Sequence, residues 1–393
     1  MKPRLNTPQV PDQVVCLCCN APHGYLYFND GKKRSQIKCK VCGHLFQVQH
    51  RFRNWRKSKL FCPYCGLALF RWKVRKEVTI HKCPNDKCPH RLQAAAKLNP
   101  AEKVLQKERS SQFKLNYQYR EYHFKIEELD HSTPEKPIVD LTRIHNSENV
   151  LGLILAFYVS FAVPARKTAA ILREVFNVRV SYQTVLNYAA AAAFYCHSFN
   201  LKHKGGIDAV SAGDETYIKV LGKHHYVFFF ISSQSLKITA YHVADNRGTL
   251  PAVVAMKEAT RTAADDLDII LVTDGNPSYP AGIHYLNSLT DDNPKIQHKK
   301  VIGLQNLDAE STEWRALKQL IERLNRTFKY HVRPAAGFNS FNGAMALTTL
   351  FVTHYNFLRP HMSLEYKPPV QLPEIKTIST IQGKWTKILS LAI

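Results

Sequence analysis

Four close pairs of cysteines dictate how the first 90 residues of this chain can fold. The pairs are Cys16-x-x-Cys19 and Cys39-x-x-Cys42, then Cys62-x-x-Cys65 and Cys83-(x4)-Cys88. A close pair supplies two thiolates from one tight turn, and zinc binds four such ligands in a tetrahedron. The spacing therefore predicts two consecutive zinc ribbons, each with a β-hairpin between its two pairs. The hairpins are predicted around residues 28–31 and 73–82.

Metal binding is favoured over disulfide formation because clustered pairs in a reducing compartment usually hold metal. Three residues leave alternatives open in the ligand sets. Cys18 could exchange with Cys16 or Cys19 in the first ribbon. In the second, His81 or His90 could replace a thiolate, because Cys83 and Cys88 are more widely spaced than the other pairs.

Charge indicates a polyanionic partner. The chain has 54 Lys and Arg against 31 Asp and Glu, a net charge of +23. The stretch Arg51–Lys76 contains no acid and interleaves its basic residues with aromatic ones. Such a surface contacts phosphates and stacks on bases, so DNA is the expected partner. The residues predicted to contact DNA here are Arg51, Arg53, Trp55 and Arg56.

A membrane partner is not expected. The most apolar run, Val150–Val163, is too short for a spanning helix, which needs about 20 residues. The first residues, Met1-Lys2-Pro3-Arg4, are followed by no apolar stretch, so no signal peptide is predicted. We expect a cytoplasmic, nucleoid-associated protein. The chain has no GxxxxGK[ST] loop, so no nucleotide cofactor is expected.

A helical trio is predicted in the middle of the chain, after a connector at residues 93–148 that contains one helix, Ala94–Glu108. Its three helices are predicted at Val150–Val163, Lys167–Phe176 and Tyr182–Ala193. Ser181 is the expected N-cap of the third helix. This order is typical of a helix-turn-helix, whose third helix enters the major groove. The residues predicted to face DNA are Tyr182, Gln183, Thr184 and Asn187.

Three acids follow in an order that predicts a metal site. Asp214 lies in the alternating strand Ser211–Val220, where Asp214 and Glu215 should point to opposite faces and so could not serve one site. Asp274 ends a second, buried strand and precedes a Gly-Asn-Pro turn. Glu322 is the lone acid in a basic row on the helix Trp314–Lys329. Carboxylates suit hard divalent cations, and two such ions can clamp a phosphoryl displacement.

Three motifs resemble the DDE transposases of prokaryotic insertion sequences, in the retroviral-integrase and ribonuclease-H-like superfamily. They are D-E-T-Y-I-K-V, V-T-D-G-N-P-S-Y and I-E-R-L-N-R-T-F-K, within residues 180–368. The resemblance implies that Asp214, Asp274 and Glu322 bind two Mg²⁺ or Mn²⁺ ions. It also implies that Arg326 and Lys329 meet DNA. The 48 positions between Asp274 and Glu322 exceed the usual interval, which leaves Glu310 and Glu313 as rivals for the third acid.

The predicted fold class is α+β and multidomain, with two zinc-ribbon sites, a helix-turn-helix and a ribonuclease-H-like core on a mixed five-stranded sheet. The predicted domains are residues 1–92, 93–148, 149–200, 205–370 and a C-terminal tail at 371–393. The predicted function is DNA transposition by strand cleavage and strand transfer at the ends of a mobile element. The expected partners are double-stranded DNA, as element ends and target, and further copies of the chain in a homodimer or higher oligomer. A structure-specific nuclease and a transposase-derived DNA-binding regulator are the alternatives.

Overall fold

A computed structural model describes residues 9–47, 60–110, 113–125, 129, 133–264, 267–289, 296–301 and 309–393. The chain divides into two compact units, Met1–Arg75 with Thr79–Tyr119, and Lys76–Val78 with Arg120–Ile393. Four predicted DNA contacts lie outside the described residues, namely Arg51, Arg53, Trp55 and Arg56. No helix within the described ranges is long and apolar enough to span a bilayer.

The first unit is built from short strands around the cysteines. The strands β1, β2 and β3 form an antiparallel sheet. Their bounds are Leu26–Phe28, Gln36–Cys39 and Leu45–Gln47. A second antiparallel hairpin joins β4 to β5, Phe70–Val74 and Val78–Lys82. Both predicted hairpins are therefore present.

Two helices stand where one was predicted. Helix α1 spans Pro89–Ala96 and α2 spans Pro100–Glu108, so the single helix Ala94–Glu108 is wrong. The break arises because Asn99 caps a new helix, accepting a hydrogen bond from the amide of Glu102, and Pro100 suits a first helical position. Strand β6, Gln118–Tyr122, then pairs with β5 in a three-stranded sheet.

The helical trio is present with altered ends. Helix α3 covers Glu148–Leu155 and continues as a π-helical turn, Ala156–Ser160. Helix α4 covers Ala165–Phe176, and α5 covers Tyr182–His203, ten residues beyond its predicted end. The alanine-rich sequence of α5 meets no glycine before Gly205, and nothing in it stops the helix earlier.

A mixed five-stranded sheet forms the centre of the second unit, as predicted. Its strands are β7, Val210–Val220; β8, Lys223–Ser232; β9, Ile238–Ala244; β10, Ile270–Thr273; and β11, Gln297–Lys300. Their order across the sheet is β11-β10-β7-β8-β9, with β7 to β9 antiparallel and β10 and β11 parallel to β7. Between β9 and β10 lies α6, Thr249–Thr260, and between β10 and β11 lies α7, Ser278–Leu289.

The remaining helices follow β11. They are α8, Ala309–Glu313; α9, Arg315–Val332; α10, Phe341–Thr353; α11, Pro373–Lys376; and α12, Ile381–Ala392. A π-helical turn, His354–Leu358, extends α10. The segment predicted as a C-terminal tail thus contains two helices, and Trp385 on α12 is completely buried.

Alternating side chains of the sheet build two separate cores. Phe229 on β8 packs with Phe328 of α9 and Phe351 of α10 on one face. Phe228, its neighbour, packs on the other face with residues of α6 and α7. A third core joins α3, α4 and α5 to α10 and α12, so the helical trio packs against the C-terminal helices. Helix α9 packs against β7, which positions the site described next.

Candidate active site

Asp214 lies on the face of β7 that α9 covers. Oδ2 of Asp214 accepts hydrogen bonds from Nζ of Lys318 at 3.1 Å and from Nδ2 of Asn325 at 3.2 Å. Oδ1 accepts from the amide of Glu215 at 3.0 Å. Only 9% of the residue is exposed. Burial raises the pKa of Asp214 to about 6, although Lys318 opposes this shift.

Asp274 lies beside Asp214 because their strands run parallel. The register aligns Val272 with Ala212, and each acid follows two residues later. Oδ1 of Asp274 accepts a hydrogen bond from the amide of Asn276 at 2.9 Å, which closes a turn of the kind that Asp favours. The structure thus brings together the first two predicted acids, Asp214 in the middle of β7 and Asp274 directly after the carboxyl end of the parallel strand β10.

Glu215 joins these two acids, contrary to the prediction that it could not serve the same site. Its side chain does point to the opposite face, where Nδ2 of Asn276 and the hydroxyl of Tyr279 donate to it. Yet carboxylate oxygens of Asp214, Glu215 and Asp274 lie within 4.8 Å of one another. Strand β10 ends at Thr273 and therefore does not cover β7 beside Asp214 and Glu215. Asp274, which follows β10, can then approach the side chains on either face of β7.

Glu322 lies on the face of α9 that meets Asp214. Lys318 is four residues before it and Asn325 three residues after it, and both contact Asp214. Glu322 is half-buried. Among the described side chains, its carboxylate does not belong to the group gathered within 4.8 Å. The rival Glu313 is exposed and does not belong to that group either; the side chain of Glu310 is outside the described set.

Two residues that were not predicted as part of the site, Lys318 and Asn325, contact Asp214. Their sequence spacing from Glu322 could have indicated these contacts, because positions 318, 322 and 325 lie on one face of a helix. The two predicted DNA contacts follow on the same helix. Arg326 is exposed, and Nζ of Lys329 lies 4.1 Å from the ring centroid of Tyr217.

The eight predicted zinc ligands form two groups of four thiols. In the first, Sγ atoms lie 3.5 Å apart for Cys16 and Cys42, and 3.6 Å apart for Cys19 and Cys39. Zn–S bonds of about 2.3 Å in a tetrahedron would place the sulfurs about 3.8 Å apart. Disulfide bonds are much shorter, about 2.05 Å. The donor set and spacing therefore suit zinc, while the exposed Cys18 does not belong to the group.

The second group has the same dimensions. Sγ atoms are 3.8 Å apart for Cys62 and Cys88, and 3.5 Å apart for Cys65 and Cys83. Neither His81 nor His90 belongs to the group of potential ligands. The wider spacing of Cys83 and Cys88 is accommodated because Cys88 immediately precedes α1.

The start of α5 carries the residues predicted to face DNA. Ser181 is the N-cap, as predicted, and its Oγ accepts from the amide of Thr184 at 3.0 Å. Nε2 of Gln183 donates to Oδ1 of Asn187 at 2.9 Å. Gln183 is exposed, whereas Thr184 and Asn187 are half-buried. Gln183 and Asn187 line a groove of about 590 Å³ that also contains residues 337–340 of the loop before α10.

Residues 314–369 match the family model described as the integrase core domain. This segment contains α9 and α10, so the helix that contacts Asp214 is integrase-like in sequence. The match covers a minor part of the chain. No curated protein matches the chain.

Solved retroviral structures show a distant likeness. The HTLV-2 integrase catalytic core domain in complex with magnesium is 14% identical over 42% of this chain and 97% of its own, with a TM-score of 0.29. The simian T-cell lymphotropic virus intasome, in complex with a PP2A regulatory subunit, is 15% identical over 58% of this chain and 80% of that chain, with a TM-score of 0.30. Such TM-scores lie below the range that defines a shared architecture.

Proposed function

We propose that this chain is a DNA transposase that cuts and joins DNA at the ends of its mobile element. The observation that carries the proposal is the pair Asp214 and Asp274, held side by side because β7, which contains Asp214, pairs in parallel with β10, which ends just before Asp274. The integrase-core match supports it, because that segment includes α9, which covers Asp214.

The carboxylates suit Mg²⁺ or Mn²⁺, which prefer hard oxygen ligands. Asp214 and Asp274 would hold the ions, with Glu322 supplied from α9. Lys318 supports this assignment, since its ammonium group already places a positive charge on Oδ2 of Asp214. Bound divalent ions would activate the attacking oxygen and neutralise charge on the phosphate.

The residues of the chain position the reacting groups. The pairing of β7 with β10 fixes the two aspartates, and α9 offers Arg326 and Lys329 to DNA phosphates. Water first attacks a phosphodiester at the element end, forming a new P–O bond as the bond from phosphorus to the 3′ oxygen breaks, which leaves a 3′-hydroxyl and a 5′-phosphate. This hydroxyl then attacks a target phosphodiester, forming one P–O bond as another breaks. Orientation supplies much of the rate of such transfers.

End recognition is assigned to the two zinc ribbons and to α5. The eight thiols would hold two structural zinc ions. Gln183, Thr184 and Asn187 would contact the terminal repeat. Joining two element ends to one target requires two copies of the chain, so the active form is a dimer or a larger oligomer.

The proposal is tested by a strand-joining assay. The full-length protein is incubated with a labelled duplex taken from the DNA that flanks its gene, with a target plasmid and with Mn²⁺. We expect metal-dependent joined product. Asp214→Asn and Asp274→Asn should bind the duplex normally but join nothing.

Asp208→Asn is the matched control, because Asp208 precedes β7 and accepts hydrogen bonds from the amides of Gln234 and Ser235 in a turn. It should retain activity if its fold is intact. Cleavage without joining would support a nuclease instead. Duplex binding without any chemistry would support a DNA-binding regulator.

A further inference from the structure

Glu215 lies next to Asp214 on β7 and contacts the segment that follows Asp274. Its amide donates to Oδ1 of Asp214 at 3.0 Å. Its Oε1 accepts from Nδ2 of Asn276 at 2.9 Å, and the amide of Asn276 in turn donates to Asp274. Its Oε2 accepts from the hydroxyl of Tyr279 at 2.6 Å. One side chain therefore connects β7 to the turn after β10.

Tyr279 gives this connection a rigid anchor. The residue has no exposed surface, and its ring packs edge-on against Phe228 and Phe230, with centroids 6.3 Å away in each case. Asn276 is fixed in addition by the amide of Ser278, which donates to its Oδ1 at 3.0 Å. The turn is thus held by the core on one side and by Glu215 on the other.

We infer that Glu215 is a positioning residue, which sets the distance between Asp214 and Asp274 by holding the turn after β10. The inference rests on the proposed function, since it takes these two aspartates as metal ligands. Both oxygens of Glu215 are already engaged by Asn276 and Tyr279. Carboxylates of this kind, which orient ligands without binding the metal, commonly change metal affinity when they are replaced.

Two variants separate positioning from direct ligation. Glu215→Gln keeps the size of the side chain but removes one of the two acceptors. Tyr279→Phe leaves every carboxylate in place and removes only the hydroxyl that holds Glu215. Tyr285→Phe, on the same helix, is the matched control, because Tyr285 packs edge-on against Phe124 at 5.1 Å. Asp214→Asn reports on the metal site itself.

The measurement is a titration of the full-length proteins with Mn²⁺ alone, followed by electron paramagnetic resonance. We expect Glu215→Gln and Tyr279→Phe each to weaken Mn²⁺ binding by about 10-fold, without changing the number of ions bound. Melting temperatures without Mn²⁺ are measured in parallel. A variant that binds Mn²⁺ more weakly but has the melting temperature of the wild type supports positioning. A merely structural role would lower the melting temperature as well as the Mn²⁺ affinity.

Each other outcome overturns the inference in a distinct way. If Asp214→Asn abolishes binding but Glu215→Gln and Tyr279→Phe bind as wild type, the positioning role is wrong and the metal site stands. If Glu215→Gln abolishes binding and Tyr279→Phe has no effect, Glu215 is itself a ligand. If Asp214→Asn binds Mn²⁺ normally, the proposed metal site fails, and the inference fails with it. Should Glu215→Gln not fold, Tyr279→Phe alone decides between these outcomes.

Discussion

Nζ of Lys318 lies 3.1 Å from Oδ2 of Asp214, and the two side chains are only 9% and 13% exposed. This buried ion pair connects the helix α9 to the strand β7. It also places a cation where a divalent ion would meet the same carboxylate. Lys318 therefore neutralises Asp214 when no metal is bound.

Lys318→Met should destabilise the metal-free protein by up to about 3 kcal/mol, since removing one partner leaves a buried charge uncompensated. Added Mn²⁺ should then raise the melting temperature more in the variant than in the wild type, because the ion replaces the missing charge. Thermal unfolding with and without Mn²⁺ measures both effects. Lys367→Met is the control, as Lys367 forms an exposed ion pair with Glu365. Equal Mn²⁺ shifts in Lys318→Met and wild type would contradict this view.

Glu322→Gln should lower strand joining by at least about 100-fold, because even residues that only orient metal ligands cost 10- to 100-fold when replaced. Glu313→Gln, an exchange on the short helix just before α9, should leave joining unchanged. Initial rates of joining at saturating Mn²⁺ provide the measurement. If Glu313→Gln lost activity and Glu322→Gln did not, Glu313 would be the third acid of the metal site.

Cys39→Ser should reduce bound zinc from two ions per chain to one, since the first group of thiols would lose a ligand. Cys18→Ser should leave both ions bound, because Cys18 is exposed and does not belong to that group. Elemental analysis of the purified proteins gives the stoichiometry. A loss of zinc from Cys18→Ser instead would show that Cys18 is a ligand.

Acid should destabilise the second unit through His354. Burial lowers the pKa of His354 to about 3, and the nearby His331, Arg359 and His361 act in the same direction. The unfolded chain binds this proton below about pH 6.5, whereas the folded chain does not until about pH 3. The free energy of unfolding should therefore fall by up to about 1.4 kcal/mol per pH unit as the pH drops through this window.

The test compares His354→Gln with the wild type in chemical denaturation between pH 7.5 and 5. The variant should show a shallower loss of stability with acidification. In the wild type, Nδ1 of His354 lies 3.1 Å from Oγ of Ser160, which also accepts from Trp385. His224→Gln is the control, because it removes an exposed imidazole and should leave the pH dependence of stability unchanged. An unchanged pH slope in His354→Gln would assign the acid sensitivity to other groups.

Gln183→Ala should weaken binding to the element end by about 1–3 kcal/mol and leave binding to unrelated duplexes unchanged, as expected for a base contact. Arg326→Gln should weaken binding to the element end and to unrelated duplexes by the same factor, and it should reduce the salt dependence of binding. Fluorescence anisotropy at several salt concentrations distinguishes the two patterns. Equal weakening of both duplexes by Gln183→Ala would argue against base recognition by α5.

Local sequence patterns were enough to predict the strands of the sheet and most of the helices of the chain. Strand alternation in β7, the buried run before Asp274 and the helical stripe around Glu322 each have a short-range signal. The cysteine pairs likewise have a spacing that leaves few arrangements. These features depend on neighbours in sequence, which is why the five strands and the two thiol groups were predicted.

Other features depend on contacts between distant segments. The alternation of β7 predicted the face of Glu215, and the Gly-Asn-Pro turn predicted the end of β10, but neither pattern could show that Asn276 and Tyr279 hold the carboxylate of Glu215 close to Asp274. The proximity of Glu215 to Asp274 was therefore missed. In the same way, Trp385 has no local signal for burial against the helical trio, because that contact joins positions more than 200 residues apart.

The 22 residues of α5 span about 33 Å as one unbroken helix. Its first two turns carry the proposed end-recognition residues, and its last turn leads through a short connection into β7 and Asp214. Since α5 is packed along its length, it cannot shorten or bend freely. In the proposed function, α5 and β7 together would hold the end-recognition residues at a fixed distance from Asp214. An element whose terminal sequence was shifted by half a turn would present the wrong side of its cut site.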